Sequence, residues 1–178
     1  MHAEELLGVD NAVAAPRLGI RVTRHVPDVP PPPFYRRFRS FETNLNRWFI
    51  YDFLLPGTLL MSSGGRPVAD AEGDDRRAVR LHSCQTLTPE TETSTHYFFQ
   101  QSHPAGEGDG AAAQSIYDSL VAAFEEDRAM ITAQHANLAF DHEGVTRPML
   151  PLAMDSALVQ FRRALAERLE MERTSVST

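Results

Sequence analysis

A change of hydrophobic period near residue 110 constrains this chain more than any other feature. Before it, Phe49, Tyr51, Phe53 and Leu55 alternate with Trp48, Ile50, Asp52 and Leu54, the period of two that places successive side chains on opposite faces of a strand. After it, Ile116, Leu120, Phe124, Ile131 and Leu138 recur at helical spacing. Strands followed by long helices specify an α+β domain, a sheet with one face packed on a helix, and the boundary between them is a natural ligand site.

The strand region reads as follows. Residues 1–19 carry no evident element, and Ile20 to Val26 forms a short strand ending at Pro27. Pro30 to Pro33 cannot donate to a ladder and makes a stiff connector or lid, followed by Phe34, Tyr35, Phe38 and Phe41. Trp48 to Leu55 is a central strand, Thr58 to Met61 its short partner, and Ser62 to Asp75 a surface loop. Ala78 to Leu87 and Thr93 to Gln101 are two further strands around a turn at Thr88-Pro89-Glu90. A long helix extends to about Phe140, and a second starts near Asp155, its expected N-cap, with Leu158, Phe161, Leu165 and Leu169 on one face.

Composition narrows the function. The 178 residues suit one domain spanning 1–178, and the net charge of -7 offers no basic stripe for nucleic acid. No apolar run approaches the roughly 18–20 residues of a membrane helix. Cys84 is the single cysteine, which excludes disulfides, a four-thiolate zinc site and a complete iron–sulfur ligand set, and suits a reducing, cytoplasmic setting. No basic, apolar leader opens the sequence.

One residue does not fit its place. Steps of three and four along the long helix give Ile116, Leu120, Phe124, Asp127, Ile131, Gln134 and Leu138, so Asp127 stands on the apolar stripe. Aspartate is a poor helix-interior residue, and burying its charge costs several kcal/mol unless it is paired or bound to metal. A salt bridge and a metal site both answer that pattern. Glu125, Glu126 and Arg128 lie elsewhere on the wheel and read as a solvated face.

Three stretches together resemble the C-terminal catalytic domain of the vanillate O-demethylase oxygenase family, within the Rieske non-haem iron oxygenases. Leu87-Thr88-Pro89-Glu90-Thr91-Glu92-Thr93-Ser94-Thr95-His96-Tyr97-Phe98-Phe99 is similar to its strand-turn-strand signature, and Phe124-Glu125-Glu126-Asp127-Arg128-Ala129-Met130 to its iron-ligand helix. Leu7-Gly8 with Val26 to Tyr35 is similar to the segment that follows its histidine pair.

The resemblance implies a START-like helix-grip fold, a curved antiparallel sheet around a long C-terminal helix. It also implies a mononuclear Fe(II) held by a His-x4-His pair and an aspartate, with open positions for dioxygen. On that pattern Asp127 is the carboxylate ligand and His2 the second histidine, both catalytic, while the first histidine falls outside these residues. The family's Rieske [2Fe-2S] domain is absent from the chain, since one cysteine cannot build it. Electrons would come from a reductase or ferredoxin through a cluster elsewhere.

The implied activity is hydroxylation or O-demethylation of small, vanillate-like aromatic compounds, by an intact enzyme that is a homotrimer. Gln85, where some relatives use a histidine toward the substrate carboxylate, and Tyr117, one step off the Asp127 stripe, are the expected substrate contacts. His82, Cys84 and His96 make a weaker metal set, His96 being read as a buried strand histidine bonded to backbone. His25, His103, His135 and His142 read as solvated. The alternative function is a metal-free START-like module that binds an aromatic or lipid-like ligand, or an inactive fragment.

Overall fold

The computed structural model describes residues 10–14, 19–74, 76–103, 109–138, 151–152 and 155–176. Two compact units divide the chain, Met1–Pro104 with Leu152–Thr178, and Ala105–Pro151.

The first unit holds a six-stranded antiparallel sheet in sequence order: β1 Asp10–Ala14, β2 Gly19–Val29, β3 Leu45–Leu54, β4 Thr58–Pro67, β5 Val79–Pro89 and β6 Thr95–Ser102. Register fixes what each face carries. Phe49 is opposite Arg24 and Ser63, Tyr51 opposite Val22 and Met61, and Phe53 opposite Ile20 and Leu59. These residues, with Leu81 and Gln85 of β5, line one face; Asp52, Leu60, Cys84 and Gln100 line the other.

At one end of the aromatic face, Tyr35, Leu45, Val79 and Leu81 form the buried core, with Phe34, Phe38 and Phe41 packed against it. The proline connector therefore ends in a short 3-10 turn, Tyr35–Arg37, which delivers Tyr35 onto the sheet. Backbone bonds Tyr35 N to Pro32 O (3.0 Å) and Phe38 N to Tyr35 O (3.0 Å) fix that turn.

The strands extend beyond the sequence reading at three places. β1 occupies part of a stretch expected to lack structure, because its pairing with β2 supplies order that its own small residues do not encode. β2 continues past Pro27 through a bulge between Val26 and Val29. Asp28 takes φ +51° there, held by its own N–H to Asn46 Oδ1 (3.1 Å) and by Asn44 Nδ2 donating to its carboxylate (3.0 Å).

β4 runs through Ser62-Ser63-Gly64-Gly65, expected as loop. Its glycines serve close packing rather than a turn. A Cβ on Gly64 would collide with the Trp48 ring and lie 2.5 Å from Val79 O, while one on Gly65 would lie 3.0 Å from Tyr35 and 3.1 Å from Leu45. One glycine admits a ring on each face of the strand.

The β5–β6 turn comes slightly later than expected. Thr91 Oγ1 and Ser94 Oγ are 2.6 Å apart, Ser94 N–H donates to Thr91 Oγ1 (3.0 Å), and Ser94 Oγ donates to Glu90 Oε2 (2.9 Å). Helix α2, Ser156–Val176, belongs to this unit and contacts β2, its Phe161 ring 6.1 Å from Phe53. Asp155 precedes it at the cap position, but its carboxylate accepts from Leu152 N–H (2.8 Å) on the upstream side. The second unit contains α1, Asp109–Leu138, thirty residues long.

Candidate functional site

Period-two spacing on β3 stacks three rings along the strand. Phe49 and Tyr51 have centroids 6.3 Å apart and are inclined by 3°; Tyr51 and Phe53 are 6.4 Å apart and inclined by 28°. Phe161 of α2 closes the Phe53 end. The result is an aromatic floor on one sheet face, suited to a flat apolar ring.

Two guanidiniums mark the other end. Arg47 lies 4.9 Å from the Phe49 ring centre and 5.2 Å from that of Tyr35, and Arg24 lies 5.7 Å from Phe49. Burial pushes the Tyr51 phenol up, and Arg24 and Arg47 draw it part of the way back, so it stays protonated at neutral pH. From β2 to β6 this face carries no aspartate or glutamate.

Gln85 lies on the same face, opposite Leu59 and Phe99. Its Nε2 donates to Ser83 Oγ at 3.1 Å, and Ser83 is buried. The side chain is thus anchored within the sheet, with its amide oxygen still able to accept.

The opposite face holds a hollow of about 320 Å³ whose lining includes Ile50, Asp52, Leu60, His82 and Cys84. It is a separate feature from the aromatic floor. Beside it Arg21 binds Asp52 through two parallel bonds (2.6 and 2.7 Å), and these hold the Asp52 carboxyl below its ordinary value.

His82 and Cys84 share this face as the alternation requires. His96 departs from expectation: its side chain is 54% exposed and faces Glu90 at 3.6 Å, because β6 lies at the edge of the described sheet and leaves that face open. His25 and His135 are exposed, His103 stands 5.8 Å from the Phe38 ring, and His142 lies outside the described residues.

On α1 the stripe changes character along its length. Ile116 is buried, Leu120 and Phe124 are half-buried, and Asp127, Met130 and Ile131 are exposed. Asp127 thus does not bear the desolvation that its position on the wheel suggested. Arg128 pairs with Glu125 (2.5 Å) as a surface i,i+3 bridge. Tyr117 is 54% exposed, and His2 lies outside the described residues.

Carboxylate and imidazole are suitable donors for Fe(II). Among the described residues, however, no three His, Cys, Asp or Glu side chains converge on one point. The described residues therefore supply a candidate ligand but not a complete iron site, and no chemical step is derived through a metal.

Sequence reasoning missed the arginine pair. The signal was present: Arg24 interrupts Ile20, Val22 and Val26, and Arg47 interrupts Leu45, Phe49 and Tyr51, each a charge at an inward position of an alternating strand.

An antiparallel meander with a C-terminal helix across its aromatic face is an α+β helix-grip arrangement of the START-like kind. Comparison with known proteins gives the family. Residues 5–171 match the family described as vanillate O-demethylase oxygenase C-terminal domain, and the chain belongs to that family.

It is 39% identical over 136 residues to a putative toluene-4-sulfonate monooxygenase system iron-sulfur subunit of Comamonas testosteroni, a match covering 75% of this chain and 38% of that protein. It is 29% identical over 153 residues to a vanillate O-demethylase oxygenase subunit of a Pseudomonas species, covering 81% of this chain and 45% of that protein. Among solved structures, dicamba monooxygenase bound to 3,6-dichlorosalicylic acid shares the fold at a TM-score of 0.78 and 22% identity, over 93% of this chain and 48% of that one. The chain spans less than half the length of these relatives. Among the described residues no helix is long and apolar enough to cross a membrane.

Proposed function

We propose that this chain forms the substrate- and iron-binding part of an oxygenase that hydroxylates or O-demethylates small aromatic compounds with dioxygen. The observation that carries this reading is the Phe49–Tyr51–Phe53 floor, closed at one end by Phe161, with Gln85 on the same face. Such a floor binds a planar ring by stacking and apolar burial while a few polar groups orient it. Toluene-4-sulfonate and vanillate, which occur in the names of relatives, are the first ligands to test.

Asp127 and His2 are proposed as ligands of Fe(II), with Tyr117 bordering the ligand space. Dioxygen activation is the chemistry that Fe(II) supplies to such a site. This chain's own contribution is to bind the ring, orient it and exclude water. Electrons are proposed to arrive from a reductase or ferredoxin by way of a [2Fe-2S] Rieske cluster carried outside these 178 residues, within a homotrimer. The single domain 1–178 expected from the sequence is retained as part of this proposal.

A second reading, a metal-free module that binds an aromatic ligand, is favoured by one observation: the aromatic floor, with Phe161 at its end, lies within one unit. Anaerobic Fe(II) titration with measured stoichiometry separates the two. The oxygenase reading expects about one iron per chain, lost in Asp127→Ala with the melting temperature otherwise unchanged. Absence of iron binding by the chain, with aromatic-ligand affinity unaltered in Asp127→Ala, selects the binding module.

A further inference from the structure

We propose that Arg47, with Arg24 beside it, forms an anion-binding subsite at the end of the aromatic floor and holds the carboxylate or sulfonate of a ligand whose ring lies over Phe49 and Tyr51. This inference rests on the reading above that the aromatic face is the ligand face, and it adds a residue that determines specificity there.

Strand register puts the two arginines on one apolar face, on adjacent strands, with both guanidiniums within 6 Å of the Phe49 ring centre. Arg47 is sandwiched between Phe49 and Tyr35 at 4.9 and 5.2 Å, and its Nε is buried with no hydrogen-bond partner. Stacking satisfies the flat faces of a guanidinium. It leaves the in-plane Nε–H, an obligate donor, without an acceptor.

On the sheet and its loops Arg21 meets Asp52, Arg76 meets Asp74 and Arg77 meets Asp70, whereas Arg66, like Arg47, has a buried Nε without a hydrogen-bond partner. No aspartate or glutamate shares the aromatic face from β2 to β6, and Arg47 Nε has no hydrogen-bond partner there.

A planar fork beside an aromatic floor selects for a planar or tripodal oxyanion attached directly to a ring. Gln85 stands at the Phe53 level, two rows away along β3, at the opposite end of the floor from the arginines.

Calorimetric titration of the 178-residue chain with 4-methylbenzoate, 4-methylbenzenesulfonate and neutral 4-methylbenzamide tests this. At low salt at least one anion binds about tenfold or more tightly than the amide, and the ratio falls as chloride is raised from about 10 mM to about 200 mM. Arg47→Gln reduces the ratio to near one while leaving amide affinity within about twofold, and Arg24→Gln reduces it partially. Circular dichroism of both variants establishes that they are folded. Should Arg47→Gln not fold, the wild-type ratio and Arg24→Gln decide.

Equal affinity for acid and amide, absence of binding by either, or a ratio unaltered in folded Arg47→Gln overturns the proposal. Loss of the oxygenase reading in the iron titration with the anion preference intact leaves the subsite standing. Iron binding without anion preference removes the subsite alone.

Discussion

Arg21 and Asp52 pair across β2 and β3 on the face away from the aromatic floor, and their pH dependence follows from the depressed Asp52 carboxyl. A carboxyl held below its ordinary value of 3.8 contributes stability above that pH and loses it as pH falls through the lower folded-state value. Arg21→Ala should therefore lower the melting temperature slightly at pH 7, and the difference from wild type should shrink as pH falls below 3.8 and vanish below the lower folded-state value. Differential scanning calorimetry across pH 2 to 7 checks the sign; a difference that grows in acid contradicts it. The effect stays small because the Arg21 side chain is 53% exposed.

Single residues were read from the sequence with uneven success. Asp127 stood out because helical spacing is regular, yet periodicity cannot report whether a given turn of a helix is covered, and the stripe is exposed from Asp127 onward. Arg24 and Arg47 escaped notice because a charge in an alternating strand reads as a change of face until register is known.

Among elements, β4 shows how packing overrides composition. Ser62-Ser63-Gly64-Gly65 has the makeup of a loop, but its glycines give room to Trp48 on one face and to Tyr35 and Leu45 on the other. Gly64→Ala is predicted to cost about 1–3 kcal/mol, because the ring and a backbone carbonyl cannot both retreat. Leu45, fully buried in the core under Tyr35, should cost about 2–5 kcal/mol on truncation to alanine. Urea unfolding midpoints measure both, and a Gly64→Ala midpoint at or above wild type refutes the first. By contrast β3, β5, β6 and both helices were legible, because each combines a sustained period with clear bounding residues. β1 was not, since Asp10–Ala14 is short and gains its order from β2.

At the scale of the whole 178-residue chain, cysteine content sets a clear expectation. With Cys84 as their one cysteine, these 178 residues cannot ligate a Rieske cluster, so a preparation of the 178 residues by themselves should contain no acid-labile sulfide. Sulfide assay and low-temperature electron paramagnetic resonance test this, and a reduced [2Fe-2S] signal from the chain alone refutes it. The antiparallel order β1 to β6 carries a further consequence for how the chain reaches its native state. Every strand pairs with its neighbours in sequence, so after the longer closure that joins β2 to β3 the remaining pairings close short segments. Loop-closure entropy rises with the length of chain enclosed. The sheet can grow by successive hairpins outward from β3 and β4, and refolding should therefore be fast for a protein with this much strand.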